Sequence, residues 1–423
     1  MSKYIKLFED HSEYEEYRQD IDFTLPNVSH CIIQEEVHYN PWVRDFSKEY
    51  LTFNVIEDGT IVWKTNEYST LFKTISYSLD NGNTWTDITS SSEGETINVN
   101  VGDKVLLKAN NTTYADGSSD GVENYNFFGG TAKYNAEGNI MSLLYGDDYV
   151  GKLTLTDGWT FACLFRNSNI VNAENLIIPA TELSPGCYYA MFGNAQSLET
   201  SPKILPALTL PESGRWYGCY YQMFNGCTSL TTAPELPATT LKSRCYYAMF
   251  GNCTSLVSGP TILPATTLID YCYNYMFDGC ASLLNAPVLP ATRLSNSCYI
   301  GMFQNCTSLV NAPALPSTTL GQYCYDTMFK GCTSLEIAPE LPAETLVYRC
   351  YTHMFQGCTS LNYIKAMFTT TPGTDYTPDW VNGVAASGTF VQNINASWTT
   401  RGVNGIPEGW TLVDTGDYSD EGL

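Results

Sequence analysis

Apolar and polar residues alternate in short runs over residues 51–109, and each run is followed by turn-forming residues. Alternation with a period of two is typical of β-strands that are buried on one face. Asp80-Asn81-Gly82 is also a strong hairpin signal, because asparagine and glycine tolerate positive φ. The predicted strands are Leu51–Ile56, Thr60–Trp63, Ile75–Leu79, Thr96–Val101 and Lys104–Ala109. Several short strands at this spacing favour a small β-sandwich of immunoglobulin-like type over residues 51–155.

A Met-Phe pair recurs through the second half of the chain at a nearly constant interval. Its phenylalanines are Phe192, Phe224, Phe250, Phe277, Phe303, Phe329 and Phe355, and a degenerate copy precedes them at Leu164-Phe165. After one step of 32 residues the steps are 26 or 27 residues, as in the unit Cys219–Leu241. A unit this short cannot bury its own apolar face, so neighbouring units must stack over residues 156–365 and share one core.

Each repeat contains segments of different character. The Cys-Tyr-x-x-Met-Phe stretch is mostly free of glycine and proline, so we predict a short helix or 3₁₀ turn there. The Ala-Pro and Leu-Pro pairs disfavour helix and predict an extended path. The Ser-Leu-x-x segment between them is expected to pair in parallel with the same segment of the next repeat, about 4.8 Å away.

The segment Phe-x-Gly-Cys-Thr-Ser-Leu, at Phe224–Leu230, Phe329–Leu335 and Phe355–Leu361, resembles the BspA-type leucine-rich repeat. That family is common in bacterial surface adhesins, notably of gut Bacteroidales, and in phages that infect them. The resemblance covers residues 160–365, although the Ala-Pro-x-Leu-Pro stretch and the cysteine before the tyrosine depart from the family pattern. The expected fold is therefore mainly β with short helices, a leucine-rich-repeat solenoid preceded by the β-sandwich.

The repeats account for most of the 15 cysteines. Pairs at the spacing Cys-x7-Cys recur from Cys219 and Cys227 onward, whereas Cys187 has Ala195 at the partner position. Buried free thiols that act as small apolar residues are one interpretation. Disulfides, which need an oxidising compartment, are a second. A metal site is the third, although zinc sites use shorter spacings with histidine nearby.

Residues 1–50 form an acidic, aromatic-rich segment that is too short for a core of its own. Its opening resembles N-terminal segments of crAss-like phage and Bacteroidales proteins with variable C-terminal parts, which implies an attachment segment. The candidate attachment residues are Tyr4, Phe8, Tyr14, Tyr17 and Trp42. A hairpin packed on the next domain is the alternative. The first residues become acidic before any long apolar stretch, so we expect no secretory signal.

Residues 366–423 no longer follow the repeat period and are expected to form a C-terminal cap. Trp380, Trp398 and Trp410 are suited to covering the open end of the last repeat, because terminal caps are what repeat arrays need. An aromatic sugar-binding surface is the alternative interpretation of these tryptophans.

The chain of 423 residues has a net charge of −23, with 44 acidic and 21 basic side chains. Residues 187–361 carry nine acidic and seven basic side chains, so the repeats are nearly neutral and the flanks hold the acidity. This balance argues against nucleic acid and against an anionic membrane surface as partners. No apolar run is long enough to span a membrane.

The sequence shows no catalytic constellation, so we expect neither enzymatic activity nor a cofactor. The four histidines are scattered, and no nucleophile elbow, phosphate loop or dinucleotide fingerprint is present. Asp116–Gly121 is similar to a calcium loop, but Phe127 stands where the closing glutamate belongs. A solvated acidic loop is favoured there.

The residues that differ most between repeats are the three that follow the last leucine of each unit. Constant positions serve stacking, whereas variable ones point outward and are free to contact a partner or to drift neutrally. Tyrosine and arginine, which are frequent at these positions, are enriched at interface hot spots. The candidate partner-binding residues are Lys242, Arg244, Asp270, Tyr271, Asn296, Gln322, Tyr323, Tyr348 and Arg349.

These observations lead us to expect a non-enzymatic fibre or decoration protein of a gut Bacteroidales phage, located in the virion and assembled in the host cytoplasm. Its N-terminal segment would contact other virion proteins, and its repeats would bind a host cell-surface protein or glycan. Fibres are commonly trimeric, so a homotrimer is an open expectation. The main alternative is a BspA-like adhesin on the bacterial cell surface, and an intracellular scaffold is the third.

Overall fold

The computed structural model describes residues 44–67, 69–118, 121–212 and 217–415. The described residues from Phe46 onward belong to one compact unit. The candidate attachment residues Tyr4, Phe8, Tyr14, Tyr17 and Trp42 lie outside the described residues, as does Cys31.

Nine strands lie in the described part of the chain before residue 140. They are β1 (Leu51–Glu57), β2 (Gly59–Thr65), β3 (Thr74–Ser78), β4 (Thr86–Thr89), β5 (Glu95–Val99), β6 (Lys104–Lys108), β7 (Ala115–Ser118), β8 (Gly121–Gly130) and β9 (Lys133–Asn139). One antiparallel sheet has the order β9-β1-β6-β3-β4, and a second has the order β5-β2-β8-β7. The five strands predicted from alternation are confirmed, with ends that shift by one or two residues.

The two sheets bury their alternating apolar residues against each other. In β2, Ile61 and Trp63 are buried while the intervening residues are partly exposed. Phe53 of β1 meets Phe128 of β8 edge to face, with ring centroids 4.9 Å apart. Side chains of one strand point alternately to opposite faces, so the period of two in the sequence places this core.

Three short helical segments accompany these sheets in the described ranges. Helix α1 covers Ser142–Tyr145, and 3₁₀ turns cover Phe46–Lys48 and Gly146–Asp148. Two short strands, β10 (Ile170–Asn172) and β11 (Leu176–Ile177), then pair in parallel with β9. The first sheet therefore continues directly into the repeats.

Consecutive repeats are joined by a row of parallel β-bridges two residues after each conserved leucine, which confirms the expected parallel pairing. The bridges join Thr200, Thr232, Ser258, Asn285, Asn311, Ile337 and Tyr363 in order. They remain single bridges through the middle of the stack, because a proline that cannot donate a hydrogen bond follows two residues later, as at Pro287 and Pro313.

The Cys-Tyr-x-x-Met-Phe stretch forms neither the short helix nor the 3₁₀ turn predicted for it, because the backbone there divides its hydrogen bonds between two repeats. Tyr247 N donates to Arg244 O within its own repeat, whereas Ala248 N donates to Asn274 O of the next one, at 2.8 Å. The residues Arg244, Ala248 and Asn252 have φ of 56°, 47° and 59°. A left-handed residue at every fourth position forms a series of turns and excludes an α-helix.

The residue two positions after the conserved phenylalanine is left-handed in every repeat. It is Asn194, Gly226, Asn252, Gly279, Asn305, Gly331 or Gly357, with φ between 57° and 77°. Asparagine and glycine are the residues that adopt this conformation at the lowest cost. This requirement explains why the two alternate in the Phe-x-Asn/Gly-Cys motif.

Two rows of stacked aromatic rings form the core of the repeats. One row contains Phe165, Phe192, Phe224, Phe250, Phe277, Phe303, Phe329 and Phe355, with centroids 5.1–5.8 Å apart. The other contains Tyr188, Tyr220, Tyr246, Tyr273, Tyr299, Tyr325 and Tyr351, with centroids 5.6–5.8 Å apart. Neighbouring rings in both rows are nearly parallel, so each repeat contacts mainly the units before and after it.

The aromatic rows continue into the β-sheets at the N-terminal end. Phe128 of β8 stacks on Phe165 at 5.8 Å, and Tyr114 stacks on Phe161 at 6.1 Å. Phe128 N also donates to Leu164 O of the first repeat. The core is therefore continuous across residue 155, where the sequence predicts a domain boundary.

The stack extends by one repeat beyond residue 365, where the sequence predicts that it ends. Phe355 N donates to Trp380 O at 2.8 Å, as Phe329 N donates to Met354 O, so Trp380 occupies the place of the next methionine. The parallel strands β12 (Tyr363–Ala366), β13 (Thr389–Gln392) and β14 (Thr411–Asp414) continue the row of bridges. Trp380, Trp398 and Trp410 are all buried, which covers the end of the stack and is incompatible with an exposed sugar-binding surface at these residues.

All fourteen described cysteines are free and buried, so the interpretation as buried free thiols is confirmed for them. Burial raises the pKa of each thiol, for example that of Cys350 to about 12. Thiols that are protonated and buried behave as small apolar residues with a weak donor.

Candidate binding cleft on the repeat surface

The predicted partner-binding residues lie at the surface, next to one another along the stack. Lys242, Arg244, Asp270, Tyr271, Tyr323 and Arg349 are partly exposed, and Asn296, Gln322 and Tyr348 are exposed. Asp270 Oδ1 accepts a hydrogen bond from Asn296 N at 3.0 Å, and Asn296 Oδ1 accepts one from Gln322 N at 2.9 Å. These side chains thus form one edge row, and Lys242 at its start pairs with Glu212 at 2.8 Å.

Aromatic and cationic side chains of this edge row contact one another in two places. The Arg244 guanidinium lies 4.5 Å from the ring centroid of Tyr271. Farther along the stack, Arg349 lies 5.5 Å from the ring of Tyr348, which meets Tyr323 edge to face. Stacking on a cation orders both partners and leaves their outer surfaces accessible.

A second surface row, of tyrosines, is not among the predicted site residues. Tyr189, Tyr221 and Tyr247 each stand two residues after the first cysteine of a repeat, and their rings stack at 5.3 Å and 4.6 Å. All three are partly exposed. The signal in the sequence is Cys-Tyr-Tyr in three consecutive full repeats, at a position that varies in the repeats that follow.

A cleft of about 380 Å³ opens where this tyrosine row ends. Its lining residues are Tyr217, Tyr221, Arg244, Tyr247, Tyr271, Asn274, Tyr275 and Ile300. In this repeat Asn274 stands at the tyrosine position and Tyr275 follows it, with its ring edge-on to Tyr247 at 5.8 Å. A shorter side chain in the row leaves space, and the neighbouring tyrosines form its walls.

Asn274 is the most deeply buried polar side chain of the cleft, with 3% of its surface exposed. Its side-chain oxygen accepts no hydrogen bond from any described residue. A buried amide oxygen without a donor is unfavourable, and most such groups in proteins are paired. The cleft therefore contains one unsatisfied acceptor at its base.

The tyrosine hydroxyl groups of the cleft are neutral at physiological pH. Burial raises the pKa of Tyr221, Tyr247 and Tyr275, so their hydroxyl groups stay protonated. Arg244 lowers the pKa of the Tyr247 hydroxyl and Asp278 raises it. Burial also raises the pKa of Asp278. The cleft thus combines aromatic faces and hydroxyl groups with balanced nearby charges.

His353 lies between two carboxylates farther along the same side of the stack. Its Nδ1 is 3.9 Å from Asp326 Oδ1, and its Nε2 is 3.8 Å from Asp379 Oδ2. Burial raises the pKa of Asp326 to about 6, against the opposing effect of Arg349 and Lys330. No three His, Cys, Asp or Glu side chains within the described ranges are placed to hold a metal ion.

No helix of the described residues is long and apolar enough to cross a membrane.

Compared with known proteins, the chain matches no family model and no curated protein. Among solved structures it is similar to a leucine-rich repeat protein from Bacteroides ovatus ATCC 8483. The two are 16% identical with a TM-score of 0.28, and the match covers 58% of this chain and 67% of that one.

Proposed function

We propose that this chain is a non-enzymatic binding protein, in which a leucine-rich-repeat solenoid follows an immunoglobulin-like β-sandwich. One observation supports this function most strongly. Residues that are constant between repeats are buried in the aromatic and thiol rows, whereas the variable ones form the surface edge row and the tyrosine-lined cleft. Variable side chains exposed on a constant, buried stack are the arrangement by which repeat proteins present a binding surface.

The proposed setting is the virion of a gut Bacteroidales phage, where the chain is a fibre or decoration protein. Residues 1–50 contact other virion proteins, and the repeats bind a host cell-surface protein or glycan. The resemblance of Phe-x-Gly-Cys-Thr-Ser-Leu to BspA-type repeats supports this setting. The same resemblance supports the second candidate, a bacterial surface adhesin.

Two measurements test this proposal. Mass spectrometry of purified particles should detect the chain, and its absence there together with its presence on bacterial envelopes would favour the adhesin. Fluorescently labelled full-length chain should bind a subset of Bacteroidales strains. Absence of binding to every strain of a broad panel would contradict a host-binding role.

We further propose that the chain assembles as a homotrimer. Val257, Leu284 and Val310 are exposed at the same position of three consecutive repeats. An apolar row of this kind is typical of surfaces that contact another protein. Light scattering on the full chain should give three times the monomer mass of 47.0 kDa, and a monomer mass would contradict the trimer.

A further inference from the structure

We propose that the cleft around Asn274 binds one neutral pyranose unit of a surface glycan, an assignment that rests on the proposed binding function. Three features support it: aromatic walls, a buried hydrogen-bond acceptor without a partner, and balanced charge.

The walls match the shape of a sugar ring. A pyranose presents an apolar face of C–H groups and a rim of hydroxyl groups. Tyr221, Tyr247 and Tyr275 offer aromatic faces and edges for the C–H groups, and each carries a hydroxyl that donates and accepts. The volume of about 380 Å³ lies within the range of about 300–1,000 Å³ typical of small-molecule sites.

Asn274 supplies the specific polar contact. Its side-chain oxygen is buried and has no donor among the described residues. A sugar hydroxyl that enters the cleft can donate to this oxygen and remove the cost of leaving it unpaired. A site built in this way discriminates strongly against a ligand that lacks the donor.

The charges favour a neutral sugar over an acidic one. Arg244 lines the cleft and stacks on Tyr271, and Asp278 acts on the pKa of the Tyr247 hydroxyl with the opposite sign to Arg244. An acidic sugar would therefore meet repulsion from Asp278 as well as attraction to Arg244. A neutral ring with several hydroxyl donors avoids this repulsion and still satisfies Asn274.

The experiment is saturation-transfer NMR on the full-length chain with the methyl glycosides of glucose, galactose and mannose. N-acetylneuraminic acid is the acidic comparison. At least one neutral glycoside should receive saturation, and affinity should fall by about tenfold or more in Asn274→Ala. Asn274→Asp keeps the acceptor oxygen and should retain more binding than Asn274→Ala. Glu344→Ala, at an exposed position outside both the cleft and the edge row, should bind as the unaltered chain does.

Several outcomes would overturn the assignment. These are no transfer to any neutral glycoside, preferred binding of the acidic sugar, or undiminished affinity in both Asn274→Ala and Tyr247→Ala when both melt like the unaltered chain. Cell binding by the labelled chain separates the two proposals. If Asn274→Ala still binds cells fully, the cleft assignment fails and the host-binding function stands. If the chain binds neutral glycosides but binds no cells, the cleft assignment stands and the host-binding function fails.

Discussion

The thiol of Cys280 donates a hydrogen bond to the carbonyl oxygen of Phe250 in the preceding repeat, over 3.0 Å. The same bond recurs from Cys227, Cys253, Cys306, Cys332 and Cys358 to the equivalent phenylalanine, at 3.0–3.2 Å. The second cysteine of each repeat therefore joins neighbouring units, in addition to filling space. This role explains why the second cysteine recurs in each repeat, and it requires neither a disulfide nor a metal ion.

Replacement of Cys280 by alanine should lower the free energy of unfolding by about 1–2 kcal/mol, because both the donor and the buried sulfur are lost. Cys280→Ser retains a hydrogen-bond donor but buries a hydroxyl that is more strongly solvated than a thiol. The unfolding free energy that this variant loses therefore measures how much of the Cys280→Ala effect comes from apolar burial. Chemical denaturation of the full chain checks both values. An unchanged midpoint for Cys280→Ala would contradict the joining role.

The described thiols should be unreactive in the native protein. Their burial raises their pKa values and removes access for an attacking reagent, as for Cys163, whose pKa is raised to about 11. Titration with a thiol reagent at pH 8 should detect all 15 cysteines in denaturant without reductant. In the native state at most one, Cys31, should react. Fewer than 15 in denaturant would indicate disulfides.

Removal of one ring from the phenylalanine row should destabilise the stack. Phe277 is fully buried between Phe250 and Phe303. Phe277→Ala should therefore lower the free energy of unfolding by about 3–5 kcal/mol. Tyr348→Ala, at an exposed position, is the matched control and should change it by less than about 0.5 kcal/mol. Similar costs for both variants would rule out the ring row as the main core.

Asp326 should make the stack less stable as the pH rises. Its folded pKa of about 6 lies above the value of about 3.9 for an unfolded aspartate, so the folded state binds the proton more tightly. Its contribution to the free energy of unfolding therefore falls as the pH rises from about 4 to about 6.

Asp326→Asn removes this penalty. At pH 7 the variant should be more stable than the unaltered chain by about 1–2 kcal/mol, after allowance for the solvent that reaches this group. At pH 4 the difference should disappear. Melting temperatures of both proteins across this range test the prediction. A stability advantage of the variant that shrinks from pH 4 to pH 7 would contradict it.

The sequence predicts the stack correctly because its strongest signals are local and repeated. The recurring Phe places one aromatic row, and the leucine places the parallel bridges. The composition of Tyr246–Phe250 suits a helix, but the prediction fails because three of its five N–H groups bond to the next repeat. The left-handed residues that exclude the helix, Arg244 and Ala248, are of types that give no signal of this conformation in the sequence.

The site is predictable only in part. The edge row, including Asn296 and Gln322, follows from variation between repeats. The cleft depends on one asparagine, Asn274, that replaces a tyrosine of the preceding repeats, and on Tyr275, which turns its edge toward Tyr247. Position-by-position comparison of the repeats locates that change, but the resulting space follows only from the three-dimensional packing.

Cell binding by one surface variant and one matched control tests whether the edge row binds the host. The edge-row variant Gln322→Ala/Tyr348→Ala/Arg349→Ala changes side chains outside the core. The control Glu344→Ala changes an exposed residue outside both the edge row and the apolar row. On a strain that the unaltered labelled chain binds, the edge-row variant should lose about tenfold or more in affinity while it melts normally, and the control should bind fully. Equal binding by the two variants would contradict the claim that the variable side of the repeats is the binding surface.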